Sequence, residues 1–311
     1  MFYEFARWDV SLATFLVVQN CLGLSVVDRV GGEEQKKRIL PDTIALKKFI
    51  CFGLTEPTHG SDATSLLTTA KKTEGGFLIT GKKRWIGNAT FADYIIVWAR
   101  NVDEGNKIQG FIVEKGSKGL KTSKIENKYS IRMVINADIE MTDVFVPLKN
   151  RLENALDFAS GANNILKHSR IYIAWLATGC AAGAIEAALK YTSQRKQFGK
   201  TINSFQIIQE KLQRAVANVQ SMISMCHRVS LLYQQDQASM GQIALTKAYC
   251  TRVGREVCQI AREVVGGNGI LIENHVIKQM MDMEAVHTYE GTYEINSLVA
   301  AREITGKSAF K

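Results

Sequence analysis

No two of the six cysteines, at positions 21, 51, 180, 226, 250 and 258, form a CxxC pair. Most sit in apolar surroundings, as Cys180 does within LATGCAAG. They read as buried free thiols in a reducing compartment, not as a disulfide frame or a zinc site, and no metal is expected. The chain also lacks an arginine-rich arm, zinc-finger spacing and aromatic ribonucleoprotein motifs. Its net charge of +9 therefore argues little for nucleic acid. A phosphorylated small molecule or a solvated basic surface remains. The densest basic cluster, Lys71, Lys72, Lys82, Lys83 and Arg84, is expected on strand surfaces. There are no internal repeats or low-complexity segments. The N-terminus, MFYEFARWDV, has neither a signal-peptide core nor an arginine-rich transit pattern, and KSAFK is no peroxisomal tripeptide. The one long apolar run, Ile171 to Leu189, is interrupted by Glu186 and rich in Ala and Gly. It reads as a buried bundle helix, and no integral membrane segment is expected.

What is present is an ordinary globular composition, 46% hydrophobic and 22% charged over 311 residues. That length supports two or three packed layers or small domains, and disorder is not expected over most of it. The hydrophobic period divides the chain into three zones. Residues 1–48 step at three and four through Ala13, Leu16, Val17, Asn20 and Leu24, with a second amphipathic segment, EEQKKRIL, ending before Pro41. Residues 49–152 shift toward a period of two. Strands are predicted around residues 77–80, 94–98, 110–113 and 143–147, parted by glycine-containing turns. With no helical pattern between consecutive strands, an antiparallel sheet or small barrel fits better than a dinucleotide-binding fold. Residues 153–311 return to helix. Ser204 reads as an N-cap, followed by the stripe Phe205, Ile208, Leu212, Val216, Val219, Met222, Cys226 and Val229, which suits a bundle and an oligomer interface.

Four stretches carry candidate chemistry, the fourth in two parts (264–270 and 288–296), with plainer readings beside them. CFGLTEPTHGSDATS, residues 51–65, offers Thr55, Ser61 and turn amides to a ligand, or is only a strand running into a loop. In KKRWIGNATFADY, residues 82–94, Trp85 is either core packing or a flat wall for an aromatic ring. RKQFGKTINSFQ, residues 195–206, sets Arg195 where a guanidinium fork could grip a diphosphate, or is a solvated basic loop. In VVGGNGI, residues 264–270, Gly266, Gly267 and Gly269 do not make GxGxxG and follow no strand, so a dinucleotide fingerprint is rejected. In TYEGTYEIN, residues 288–296, Glu290 is a surface-turn carboxylate or a base in an apolar cleft.

In this order and spacing the four stretches resemble the acyl-CoA dehydrogenase/oxidase superfamily. The branches most alike are glutaryl-CoA dehydrogenase and the plant-type short-chain acyl-CoA oxidase. The likeness runs from EFARWD to ITGKSAF, and LTEPTHGSD, RKQFG, GGNGI and YEGT are its most specific pieces. It implies an α+β fold: a helical N-terminal domain (1–48, shortened), a central antiparallel β-domain (49–152) and a C-terminal four-helix bundle (153–311), assembled as a dimer of dimers. It implies FAD as cofactor. By motif match, Phe52, Leu54, Thr55, Gly60, Ser61, Trp85, Ile86 and Gly87 meet the flavin. Arg195, Phe198 and Gln206 grip the diphosphate and adenine of a neighbouring subunit. Gly266, Gly267 and Asn268 form the cross-subunit adenosine site, and Thr292 and Glu294 make further flavin contacts. Ser61, Arg170, Tyr289 and Gly291 fall on substrate positions, with Arg170 matching an arginine that holds the CoA nucleotide.

The resemblance makes Glu290 the catalytic base. It takes the α-proton of an acyl-CoA while hydrogen bonds from the flavin ribityl hydroxyl and the Glu290 amide stabilise the enolate. Exclusion of water makes a carboxylate a stronger base. The β-hydrogen leaves as hydride to the flavin, giving trans-2-enoyl-CoA from a short- to medium-chain substrate. Two departures stand out. The first helices of the family are absent, so a fragment or an altered gene start is expected. The arginine and serine that hold glutarate's distal carboxylate fall on Ala13 and Val17, so glutaryl-CoA is expected to be a poor substrate. Electrons are expected to pass to an electron-transferring flavoprotein. An oxidase returning them to O2 with H2O2 release is the alternative, and a non-catalytic acyl-CoA-binding or assembly subunit is the alternative of another class. The family's compartments make the mitochondrial matrix or peroxisome, otherwise the cytoplasm, the expected location.

Overall fold

The computed structural model describes residues 1–309, with helices first, then strands, then helices. The N-terminal helices are α1 (Phe2–Trp8), α2 (Val10–Leu16), α3 (Ser25–Val30) and α4 (Glu33–Ile44). Between α2 and α3 the turns widen to the π form over Val17–Leu24, and Ser25 N bonds back to Asn20 O. That widening rotates the face read from a 3.6 period. Asn20 and Leu24 are only half-buried, while Gln19, Cys21, Leu22 and Gly23 are buried. Pro41 does not end its helix as expected. It lies inside α4, which closes three residues later with the Ala45 amide on Pro41 O.

The strands are β1 (Ile50–Gly53), β2 (Thr69–Thr73), β3 (Gly76–Gly87), β4 (Tyr94–Asn101), β5 (Lys107–Glu114), β6 (Leu120–Lys124) and β7 (Asn136–Pro147). They form one sheet in the order β1-β4-β2-β3-β7-β6, with β5 also on β4. The sheet is mixed, a correction to the antiparallel expectation. β4 pairs in parallel with both β1 and β2, while the other pairs are antiparallel. The parallel neighbours are not consecutive in sequence, so they need no crossover helix between them.

The helical part follows as α5 (Asn164–Gln194), α6 (Gln206–Gln234), α7 (Met240–Val264), α8 (Val276–Thr288) and α9 (Tyr293–Thr305), with a small hairpin of β8 (Lys196–Gln197) and β9 (Lys200–Thr201) between α5 and α6. Where four helices were expected, the described residues form five, and the break between the last two is the turn that carries Glu290. The α6 cap residue is Phe205, one beyond the expected Ser204. The stripe of α6 is buried at Leu212, Val219, Met222, Cys226 and Val229, but Val216 is exposed.

The chain folds as two compact units. In residues 15–128 with 133–169, period-two alternation sends side chains to both faces of the sheet. Ile50, Phe52, Ile96, Trp98 and Ile112 join one core with Leu22, Val26, Val27, Val30 and Ile39 from the helices. Cys51, Ile95, Val97, Phe111 and Val113 join a second with Phe77, Ile79, Ile139 and Val144. Gly23 lets the helix approach β1 closely, since a Cβ there would lie 2.8 Å from Ile50 Cγ2. Buried Gln19 then donates to Thr43 O and accepts from the Ile50 amide at 3.0 Å.

In the other unit, residues 1–14, 129–132 and 170 onward, α1 lies backbone-on against α5. Cβ atoms at Gly179 and Gly183 would stand 2.1 Å and 2.0 Å from the carbonyl oxygens of Tyr3 and Arg7. All six cysteines are buried and unpaired by disulfides. Two stretches, Val10–Val30 and Ala159–Gln194, are long and apolar enough by composition to cross a membrane, and 67% and 72% of their most apolar windows are buried within the protein. The run at 171–189, expected to be the one such run, is therefore not alone in this property.

Candidate active site

In the sheet unit, β1 and β3 bring the first two motifs side by side. The Arg84 amide donates to Thr55 O at 2.9 Å, and Lys83 Nζ donates to Leu54 O at 3.0 Å. Leu54, Thr55, Trp85, Ile86 and Gly87 are thus assembled on adjacent backbone segments. Phe52 and Ile86 are buried, whereas Gly60 and Ser61 lie on the exposed loop beyond Pro57.

Trp85 is not core packing: its ring is 51% exposed. It occupies a register shift in β3 between Lys83 and Ile86, at a left-handed φ of 66° that a side chain larger than glycine rarely adopts. Asn136 Nδ2 holds the Trp85 carbonyl at 3.1 Å, and the Arg84 guanidinium, paired with Asp138, lies 5.2 Å from the ring centre. Behind it, Asn88 Nδ2 is buried without a partner among the described residues.

The basic cluster is corrected at one position. Lys83 is fully buried, not on a strand surface, and its ammonium meets Glu56 at 3.0 Å. Burial pulls its pKa down to about 8, against the pull of Glu56. Burial pushes the Glu56 carboxyl up, but Lys83, the Thr68 hydroxyl and the amides of Leu67 and Thr68 outweigh it, so it stays below the ordinary value. This closed network pins the loop that carries Leu54 and Thr55.

In the helical unit, the turn 289–292 breaks the chain between α8 and α9. Glu290 has φ 57° and Gly291 φ 82°, so the base candidate itself sits in the left-handed region. Three side chains hold the turn's carbonyls. Arg170 Nε donates to Glu290 O at 3.2 Å, and Asn296 Nδ2 donates to Gly291 O at 2.7 Å and Thr292 O at 3.0 Å. Lys247 Nζ donates to Gly291 O at 2.6 Å and His287 O at 3.2 Å. Thr292 caps α9 through the Ile295 amide, and the Tyr289 hydroxyl meets Thr14 Oγ1 at 3.1 Å. Burial lowers Lys247 to about 7, opposed by Glu290 and Glu294 and reinforced by Arg170. Burial also lowers Arg170, again opposed by Glu290.

Arg170, matched by resemblance to an arginine that holds the CoA nucleotide, lies inside the helical unit. It is 6% exposed, with its guanidinium turned onto Glu290 O and the Met240 sulfur. Glu294 is exposed, its carboxyl held low by its own amide and Thr292.

The remaining motif residues are exposed, Gln206 as the first residue of α6 and the others on turns. Arg195, Phe198 and Gln206 surround the β8–β9 hairpin, with Phe198 93% exposed and at φ 51°. Gly266, Gly267 and Asn268 follow α7, and Asn268 Nδ2 donates to the Tyr191 hydroxyl at 2.7 Å. No cluster of three metal-ligating side chains occurs among the described residues.

Three side chains with site contacts escaped the sequence reading: Lys83, Lys247 and Asn296. Parity could have found the first, since Phe77, Ile79 and Lys83 share one face of β3. Register could have found the second, because Lys247 takes a core position between Ile243 and Gly254 on α7.

Residues 1–47 match the acyl-CoA dehydrogenase N-terminal domain, 51–144 its middle domain and 160–305 its C-terminal domain. The chain belongs to the acyl-CoA dehydrogenase family. Benzylmalonyl-CoA dehydrogenase of Aromatoleum aromaticum is 31% identical over 97% of this chain and 80% of its own length. The CarC subunit of the caffeyl-CoA reductase–Etf complex of Acetobacterium woodii is 31% identical over 95% of this chain and 79% of its own. A glutaryl-CoA dehydrogenase from Mycobacterium smegmatis, solved in complex with FADH2, superposes with a TM-score of 0.96 at 30% identity, covering 100% of this chain and 79% of that one.

Proposed function

We propose that this member of the family is an FAD-dependent acyl-CoA dehydrogenase that converts a short- to medium-chain acyl-CoA to the trans-2-enoyl-CoA and passes electrons to an electron-transferring flavoprotein. The observation that carries the reading is the Glu290 turn. A carboxylate at left-handed φ, with the carbonyls around it tied by Lys247, Arg170 and Asn296, is a pre-organised base.

The residues present suit a flavin. Trp85 offers a half-exposed ring from strained, fixed backbone, as a wall for a planar heterocycle requires, and the unpartnered Asn88 amide lies just beyond it in sequence. Leu54, Thr55, Ile86 and Gly87 would hold the ring system beside it. Arg195, Phe198, Gln206, Gly266, Gly267 and Asn268, exposed in one copy of the chain, would hold the adenosine diphosphate end of a cofactor bound by another copy in a dimer of dimers. FAD, when bound, supplies an acceptor for hydride.

Glu290 removes the α-proton onto its carboxylate. The α C–H pair becomes the new C=C bond as the β-hydrogen leaves with its electron pair. The caged turn keeps the carboxylate from wandering while thioester and base meet. Ala13 and Val17 give a distal carboxylate no partner, which supports a plain saturated chain over glutaryl-CoA. The Etf complex of the CarC relative supports a flavoprotein acceptor.

The test is anaerobic mixing of FAD-loaded protein with butyryl-, hexanoyl- and octanoyl-CoA, followed by flavin absorbance near ~450 nm. Bleaching is expected in the parent, slower by about 10²–10⁴-fold in Glu290→Gln. Equal bleaching in both would remove Glu290 from the chemistry. Rapid recolouring in air with peroxide would replace the flavoprotein acceptor by O2.

A further inference from the structure

Lys247 is a lysine with no exposed surface, in the first half of α7. Neighbouring core positions on this helix are Ile243, Ala244, Cys250 and Val253. An ammonium there is costly unless its donors are met. Attraction from Glu290 and Glu294 offsets part of that cost. The lysine's hydrogen-bond partners are two backbone carbonyls, His287 O at 3.2 Å and Gly291 O at 2.6 Å.

Those carbonyls are not equivalent. His287 is the next-to-last residue of α8, where the helix leaves carbonyls without amide partners and where a cation is favoured. Gly291 lies beyond Glu290, at φ 82°. One nitrogen therefore bridges the chain before and after Glu290. Within the turn, Arg170 and Asn296 reach Glu290 O and residues after it. An amine and an ammonium both donate, so the bridge does not depend on the lysine's charge.

We propose that Lys247 is a positioning residue for Glu290, closing the turn from α8 to Gly291 so that the carboxylate is presented in one backbone conformation. The inference rests on the reading of Glu290 as the base. Without the bridge, the end of α8 is released while Arg170 and Asn296 still hold the far side. Substrate affinity is then retained and proton removal is slowed.

Lys247→Met keeps the stem and removes the donors. Thr251→Val, one turn further along α7, is the control: the Thr251 hydroxyl bonds only to Lys247 O and Ala248 O within its own helix. Hydrogen exchange of residues 287–292 in the full-length protein, with and without FAD, is expected to quicken at least tenfold in Lys247→Met and not in Thr251→Val. With FAD and butyryl- or hexanoyl-CoA, the rate constant for flavin reduction is expected to fall at least tenfold, with substrate dissociation constants within about threefold of the parent.

Unchanged exchange in the turn, exchange raised equally by both variants, or a loss carried wholly by substrate affinity would overturn the proposal. Should Lys247→Met be insoluble, Lys247→Gln, whose shorter amide cannot span both carbonyls, is judged by the same criteria. A parent that fails to reduce flavin would remove the base assignment, and the exchange measurement would still decide whether Lys247 holds the turn.

Discussion

At Lys83 and Glu56 a single ammonium and a single carboxylate face each other with neither side chain reaching solvent. Removing one partner leaves the other charged and sealed, and that asymmetry exceeds the modest net value of the pair itself. Lys83→Met is therefore expected to lower the unfolding free energy by about 3–5 kcal/mol in urea titration, and Lys83→Met with Glu56→Gln by less. An equal loss in both would show that the pairing is not what the fold depends on.

Lys247 makes a different prediction, in pH. Its pKa is lowered to about 7 by burial, so it holds its proton less tightly folded than unfolded. Between pH ~7 and ~10.4 the unfolded chain binds more protons at this site, and the residue's contribution makes unfolding free energy rise with pH across that window. Below it the penalty is complete and constant. Urea midpoints of the parent measured from pH 7 to 10 should rise relative to those of Lys247→Met. A flat difference would mean that the lysine is not perturbed.

Glu290 and Trp85 stand out in the sequence because each sits in a motif whose order and spacing are specific. Lys83, Lys247 and Asn296 do not, because a charged or amide side chain in an apolar pattern reads as a solvated interruption until its partners are seen. Five of those partners are backbone carbonyls, those of Leu54, His287, Glu290, Gly291 and Thr292, which no side-chain pattern records.

Among the elements, α1 depends on two absent side chains of α5. With Gly179 and Gly183 four apart, one turn after another of α5 meets the carbonyls of Tyr3 and Arg7. Backbone oxygens cannot swing aside as a flexible side chain can. Gly183→Leu should push α1 from α5 and cost about 1–3 kcal/mol in urea unfolding, with a change in Trp8 and Trp175 fluorescence. Fluorescence and stability like the parent's would mean that α1 does not need this close approach.

At this scale the long, regular elements were readable and the irregular ones were not. The strands around residues 77–80 and 143–147 were found through alternation, and the wholly buried runs 94–98 and 110–113 through β-branched and aromatic residues bounded by turn signals. β2 and β6 were missed because Lys71, Lys72, Lys121 and Ser123 leave them little apolar pattern. β1 was read only as the start of a motif: its four residues are all buried, so alternation is lost. The π-form turns of Val17–Leu24 have no period that a 3.6-residue reading can follow.

For the whole molecule, the sequence order of helices, strands and helices carried over. The mixed pairing of β4 did not, since register between distant strands is written in no local pattern. In one copy of the chain, α5 and α6 leave an apolar depression of about 450 Å³ lined by Leu189, Leu212, Val216 and Ala217. Together with exposed Ile207 and Leu231, it leaves apolar area on α6 that association would bury. FAD-loaded protein is expected to sediment as a tetramer, and Val216→Glu to weaken that assembly. A parent that sediments as a monomer at micromolar concentration would remove the dimer-of-dimers proposal together with the shared adenosine site.

Trp85 and Glu290 share one property: both occupy backbone where glycine would be at ease. At such positions the preferred residue for folding and the residue needed for chemistry are different, by about 1 kcal/mol in the folding direction. A library of this chain ranked by melting temperature alone would therefore drift toward glycine or asparagine at residues 85 and 290. Its most heat-resistant members would be the first to lose the proposed flavin wall and the proposed base, so thermal selection here has to be run with turnover as a second gate.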